Sequence, residues 1–131
     1  MIAKPIIPGK LTTNGLIMER HEYATINTLL ATGYDVELLP KSRTPHSKSP
    51  DINLIGMAWE MKAPLSSQIT SMERLLHRAV HQSCNVIFDL RRTKLQDQNA
   101  ITALTKYFYE IRTLRNLWII NKKDEILKLK K

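Results

Sequence analysis

The chain has little thiol chemistry to offer, for Cys84 is the single cysteine in 131 residues. An internal disulfide is therefore excluded, which fits a reducing compartment or indifference to redox, and Cys84 reads as a buried small hydrophobe. No apolar run approaches the ~20 residues that a membrane-spanning helix needs. The opening M-I-A-K-P-I-I-P-G-K is interrupted by prolines too early for a signal peptide. The sequence thus reads as soluble and cytoplasmic, with no membrane partner. Internal repeats are lacking, and one proline-rich loop is the only biased tract. A zinc motif is also incomplete. His77 and His81 have the i, i+4 spacing of a zinc pair, but no Glu follows the first and no third ligand is apparent.

What is present indicates one domain over residues 1–131, with an apolar share of 43% that suits a globular core. The basic charge is unevenly spread. Lys and Arg outnumber Asp and Glu by 6 to 4 in residues 1–50, fall short by 3 to 4 in residues 51–90, and exceed them by 11 to 4 in residues 91–131. An acidic middle inside a basic chain is the pattern of a cation site in a protein that binds polyanions.

The middle segment holds the most informative stretch, S-P-D-I-N-L-I-G-M-A-W-E-M-K-A-P from Ser49 to Pro64. Two strand-like runs, Asp51 to Ile55 and Met57 to Ala63, flank Gly56, so a hairpin is expected. With Ile55 and Gly56 as turn residues, Leu54 pairs with Met57 and Asp51 falls opposite Glu60. Two facing carboxylates about 5 Å apart repel by roughly 3 kcal/mol at an effective dielectric near 20. A divalent cation between them reverses the sign. Oxygen ligands suit Mg²⁺ or Mn²⁺, with Zn²⁺ as a further candidate, and Lys62, on the same strand face as Glu60, is placed to orient a water or hold a phosphate. A plain solvated hairpin is the alternative.

In chain order, residues 1–15 read as an irregular lead. A helix is expected from about Leu16 to Thr32, with Tyr23, Ile26, Leu29 and Leu30 as its apolar stripe and Gly33 at its end. Glu22 lies at the edge of that stripe, with Glu19 as its rival. Tyr34 to Leu39 alternates as a strand, and residues 40–50 form a mobile basic loop whose Arg43 and Lys48 could grip phosphate. A second helix is expected over 66–83, where Arg78 and Gln82 could face a phosphate or base. The apolar Asn85 to Leu90 reads as a central strand covered on both faces. Asp97 is expected to cap a third helix to about Arg115, and Leu117 to Ile120 and Ile126 to Leu129 read as strands. Tyr107 and Tyr109 flank Phe108, where one of them could stack a base. Arg91, Arg92 and Lys94 open the basic third, whose cations are expected to hold a nucleic-acid backbone with little reading of sequence.

The order helix, three strands, helix, strand, with Glu22, Pro50-Asp51 and Glu60-x-Lys62 on successive elements, resembles the PD-(D/E)xK phosphodiesterase superfamily. Within it, G-Y-D-V-E-L-L-P followed by P-D-I-N-L-I-G-M-A-W-E-M-K-A-P looks most like the tRNA-nuclease toxin domain at the C-terminus of contact-dependent growth inhibition proteins. The resemblance spans roughly residues 16–120. It implies an α/β fold with an αβββαβ restriction-endonuclease-like core, a mixed central sheet flanked by helices, and an added C-terminal helix and strands. It also implies a metal-dependent nuclease that cuts tRNA inside a target cell and is neutralised by a cognate immunity protein. Asp51 and Glu60 would be metal ligands, Lys62 would align or activate the attacking water, and Glu22 would assist the metal or its water. The chain begins at a methionine and carries no delivery region, which leaves a free-standing enzyme and a fragment of a larger toxin both open. A DNA endonuclease of the same superfamily and a non-catalytic nucleic-acid-binding module are the competing readings.

Overall fold

Tyr34, Val36 and Leu38 alternate with charged residues, and the next two apolar runs are separated by two residues; such patterns pair into a sheet before any helix is needed. In the computed structural model, which describes residues 6–131, they do so. The elements are β1 (Leu11–Thr12), α1 (Arg20–Ala31), β2 (Val36–Leu38), β3 (Ile52–Leu54), β4 (Met57–Lys62), α2 (Ile69–Gln82), β5 (Asn85–Asp89), α3 (Asp97–Glu110), β6 (Asn116–Ile120) and β7 (Ile126–Lys130). All seven strands form one sheet whose spatial order follows the chain from β1 to β7. β1 is parallel to β2, the β2–β3–β4 meander is antiparallel, β4, β5 and β6 are parallel, and β7 returns antiparallel.

Each sheet face has its own core. On one side α1 sets Ile26 and Leu29 against Val36, Leu38, Ile52, Trp59, Met61 and Ile87. On the other, α2 and α3 set Met72, Leu76, Leu104 and Phe108 against Val86, Phe88, Leu117 and Ile119. β5 supplies both cores by alternation, and all five of its residues are buried, as the apolar run required.

The mixed α/β architecture and the αβββαβ order agree with the expectation, and α3, β6 and β7 are the C-terminal addition. Several boundaries differ. Part of the expected irregular lead pairs as β1, with Leu11 opposite Val36; residues 1–5 lie outside the described segment. α1 starts at Arg20 rather than Leu16, because Glu22 Oε1 accepts a hydrogen bond from the Glu19 N–H and completes a capping box there. Its end is as expected, with Gly33 at φ 100° and its N–H on Leu30 O. Asp97 is not the cap of α3. It sits in the first turn, where its carboxylate accepts the Lys122 N–H at 3.0 and 3.3 Å. α3 also stops at Glu110: Ile111 and Leu114 continue the helical spacing and are buried, but from a turn that carries the Arg115 N–H to Cys84 O. Cys84 itself is exposed, since the bend between α2 and β5 faces its side chain outward.

Candidate active site

The β3–β4 hairpin has the register that places the two carboxylates together. Leu54 pairs with Met57 and Ile52 with Trp59, so Asp51, one step beyond the ladder, falls opposite Glu60. Ile55 at φ 48° and Gly56 at φ 76° make the tight turn, with both central residues left-handed as a type I′ turn requires. Trp59 and Met61 point into the α1 core. Glu60 and Lys62 therefore point to the opposite face, beside Val86 and Phe88 of β5 and under the C-terminal half of α2.

Each Asp51 oxygen has one partner and keeps a second lone pair. Its Oδ2 accepts the Met61 N–H at 2.7 Å, and its Oδ1 receives the Lys41 ammonium, which also donates to Ser49 O at 3.0 Å. Glu60 is less well served. Its Oε2 lies 3.3 Å from Lys62 Nζ, while its Oε1 is buried with no hydrogen-bond partner. Burial first, then the charge of the neighbouring Asp51 carboxylate, push the Glu60 carboxyl from 4.5 to about 7. A carboxylate oxygen buried without a donor is costly unless a cation occupies the space before it. The donor set of Asp51 and Glu60 therefore fits a hard divalent cation.

Beside these groups opens a cleft of about 560 Å³ that also exposes Lys41, Ser42, Arg78, His81 and Gln82. Its wall is the 40–50 loop, whose serines bond to one another and to α2. The Ser42 N–H donates to Ser49 Oγ at 2.7 Å, Ser47 Oγ bonds Ser42 Oγ at 2.6 Å, and the Ser49 N–H donates to Gln82 Oε1 at 2.7 Å. Gln82 thus ties the loop to α2.

The fold brings Glu60, Lys62, Arg78 and Gln82 to one cleft with Asp51 beside Glu60, and Lys48 into an adjoining hollow with His46 and His81. Arg43 stands exposed on the loop, and Lys94 is exposed beyond β5. Arg92 is also exposed, with a guanidinium nitrogen on Ala63 O at 3.1 Å, one residue past Lys62. Glu22 makes its described contact within its own helix start. It groups there with Glu19 and His21, their ligand atoms within 4.8 Å of one another. No described hydrogen bond or ion pair joins it to Asp51, Glu60 or Lys62.

Arg91 is engaged within the fold: its guanidinium bonds Asp89 Oδ1 and Oδ2, Thr28 Oγ1, Ala24 O and Asp124 Oδ1 at 2.7 to 3.0 Å. Burial alone would raise the pKa of Asp89, but hydrogen bonds from Arg91 and Thr25 outweigh it and hold that carboxyl low. Lys122 and Lys131 are likewise turned onto backbone carbonyls. Of the histidine pair, His77 lies 3.8 Å from Glu73 and His81 lines the cleft. Lys41 meets Asp51 across a loop, a contact that no spacing rule in the sequence reveals.

The model of the family described as "Contact-dependent growth inhibition CdiA C-terminal domain" matches residues 48–126, a segment that contains Asp51, Glu60, Lys62, Arg78 and Gln82. Among solved structures, the chain is similar to one described as "CdiA-CT/CdiI toxin and immunity complex from Burkholderia pseudomallei". The two share 22% identity at a TM-score of 0.69, over 94% of this chain and 100% of that one. At that identity the likeness speaks for the fold. No curated protein matches the chain.

Proposed function

The chain belongs to the contact-dependent growth inhibition CdiA C-terminal domain family, and from that premise we propose that it is a metal-dependent endonuclease of PD-(D/E)xK type, a toxin domain that hydrolyses RNA and favours tRNA. The observation that carries this reading is the buried, unpartnered Glu60 Oε1 beside Asp51. Bound between these two carboxylates, Mg²⁺ or Mn²⁺ would supply charge neutralisation at the scissile phosphate. Lys62, 3.3 Å from Glu60, positions or activates the attacking water. The water oxygen forms the new bond to phosphorus, and the ester oxygen departs and takes up a proton. Arg78 and Lys41 flank the cleft as the cations nearest a bound phosphate.

A cognate immunity protein is the expected partner, in keeping with the toxin–immunity complex that supplies the similar structure. Action follows delivery to the target-cell cytoplasm. No helix among the described residues is long and apolar enough to cross a membrane.

Digestion of total RNA with and without Mg²⁺ tests the proposal. Wild-type protein cuts tRNA only with metal, Asp51→Ala abolishes cutting, and Lys62→Ala lowers the rate by about 10²-fold or more while calorimetric Mg²⁺ affinity is retained. Cleavage of duplex DNA alone would overturn the RNA assignment. An Asp51→Ala protein as toxic as wild type would overturn the enzyme itself.

A further inference from the structure

The catalytic cleft does not end at Gln82. A second hollow, of about 620 Å³, is lined by His46, Ser47, Lys48, His81 and Gln82. A third, of about 550 Å³, includes Lys48, Pro50, Gln82, Cys84, Arg115 and Asn116. Neighbours share residues, His81 and Gln82 between the first and second, Lys48 and Gln82 between the second and third. They therefore form one furrow that runs from Glu60 past the end of α2, beneath the 40–50 loop, to the start of β6.

The lining is selective. Glu60 is its sole carboxylate, whereas the hollow on the far β1–β2 side sets two carboxylates, Asp35 and Glu37, against the one cation Lys10. Unlike Arg91 and Lys122, the exposed Lys48 and Arg115 side chains enter no hydrogen bond or ion pair among the described residues. The floor is fixed, with Ser83 Oγ and Asn85 Nδ2 on Ala58 O at 2.7 and 3.1 Å and Asn116 Nδ2 on Asn85 Oδ1 at 2.7 Å. The roof is the serine-stitched loop. A wall built before binding lowers the ordering cost of an occupant.

Resting on the nuclease reading of the same site, we propose that this furrow is the track of a single-stranded stretch of the RNA substrate on one side of the scissile phosphate. Lys48 and Arg115 hold its phosphates, and His46 and His81 offer ring faces to its bases. The track makes unpaired nucleotides next to the cut a requirement for tight binding, which selects loops and ends over duplex.

The double variant Lys48→Ala/Arg115→Ala tests this by fluorescence anisotropy with a labelled single-stranded RNA oligonucleotide in chelator across a salt series. Both side chains are exposed, and a thermal melt confirms an intact fold. Affinity is expected to fall about tenfold or more, and the log–log salt slope to shrink by about 1.4, two phosphate contacts of ~0.7 each. With Mg²⁺ restored, KM rises while kcat stays within about twofold. Unchanged affinity and slope would overturn the track, as would equal affinity for duplex RNA lost to the same extent. The two proposals fail separately: RNA binding that depends on Lys48 and Arg115 without cleavage by wild type sinks the nuclease reading alone. Wild-type cleavage with an unaltered KM in the double variant sinks the track alone.

Discussion

At the residue scale, Glu60 couples stability to pH in a direction opposite to that of an ion-paired carboxylate. Its folded pKa of about 7 stands above the ordinary 4.5, so between those values the native state keeps a proton that the unfolded chain releases. Stability is therefore full below pH 4.5, declines as pH rises, and is lowest above 7, by as much as about 3 kcal/mol. Asp89 acts at the other end, because its lowered pKa gives up stability only as pH falls below its unfolded value of 3.8. Glu60→Gln is expected to flatten the decline. Urea denaturation in chelator at pH 5 and pH 8 should show wild type weaker at pH 8 and the variant nearly level; an equal decline in both would exclude Glu60 as the cause. The carboxylate pair and Lys62 were legible in the sequence because a two-residue turn fixes hairpin register and hence which side chains meet. Lys41 was not, since its ammonium reaches Asp51 through a loop whose conformation depends on serine hydroxyls.

At the element scale, the turn that sets the register is under strain. Ile55 is β-branched yet held at φ 48°, a region that natural hairpins fill with Asn or Gly, and its side chain is largely exposed. Ile55→Asn is expected to stabilise the fold by about 1 kcal/mol, seen as a higher urea midpoint at unchanged slope. Arg91 ties α1 to the sheet through Thr28 Oγ1 and Ala24 O. Arg91→Ala leaves Asp89 buried without its partner, so a loss of about 3 kcal/mol is expected, with Asp89→Asn restoring part of it and RNA affinity per folded molecule unaltered. A fall in RNA affinity with stability intact would assign Arg91 to the binding surface. No short-range reading could have reached this role, because the Thr28 and Ala24 partners lie 63 and 67 residues away. Helix ends were misread for a related reason. Ile111 and Leu114 keep an apolar spacing because they are buried, and burial does not require them to be helical.

At the scale of the whole molecule, the basic third of the sequence divides into cations that the fold itself engages and cations left exposed. Arg91, Lys122 and Lys131 act on carbonyls and carboxylates of the fold, and Lys128 lies over the Tyr34 and Trp118 rings. Net charge counts cations without saying which are already satisfied. Strand order is the other global property, and it bears on mechanics. Because the sheet is laid down from β1 to β7 with no strand inserted between earlier ones, a pull on the C-terminus can open the β6–β7 ladder one pair at a time, starting where Lys130 meets Asn116. Optical-trap extension from that end should show β7 leaving first at low force, with the β1–β5 body still folded; a single all-or-none rupture would refute it. Such an order lets the chain be drawn out from its C-terminal end as a thread and rewound strand by strand once released.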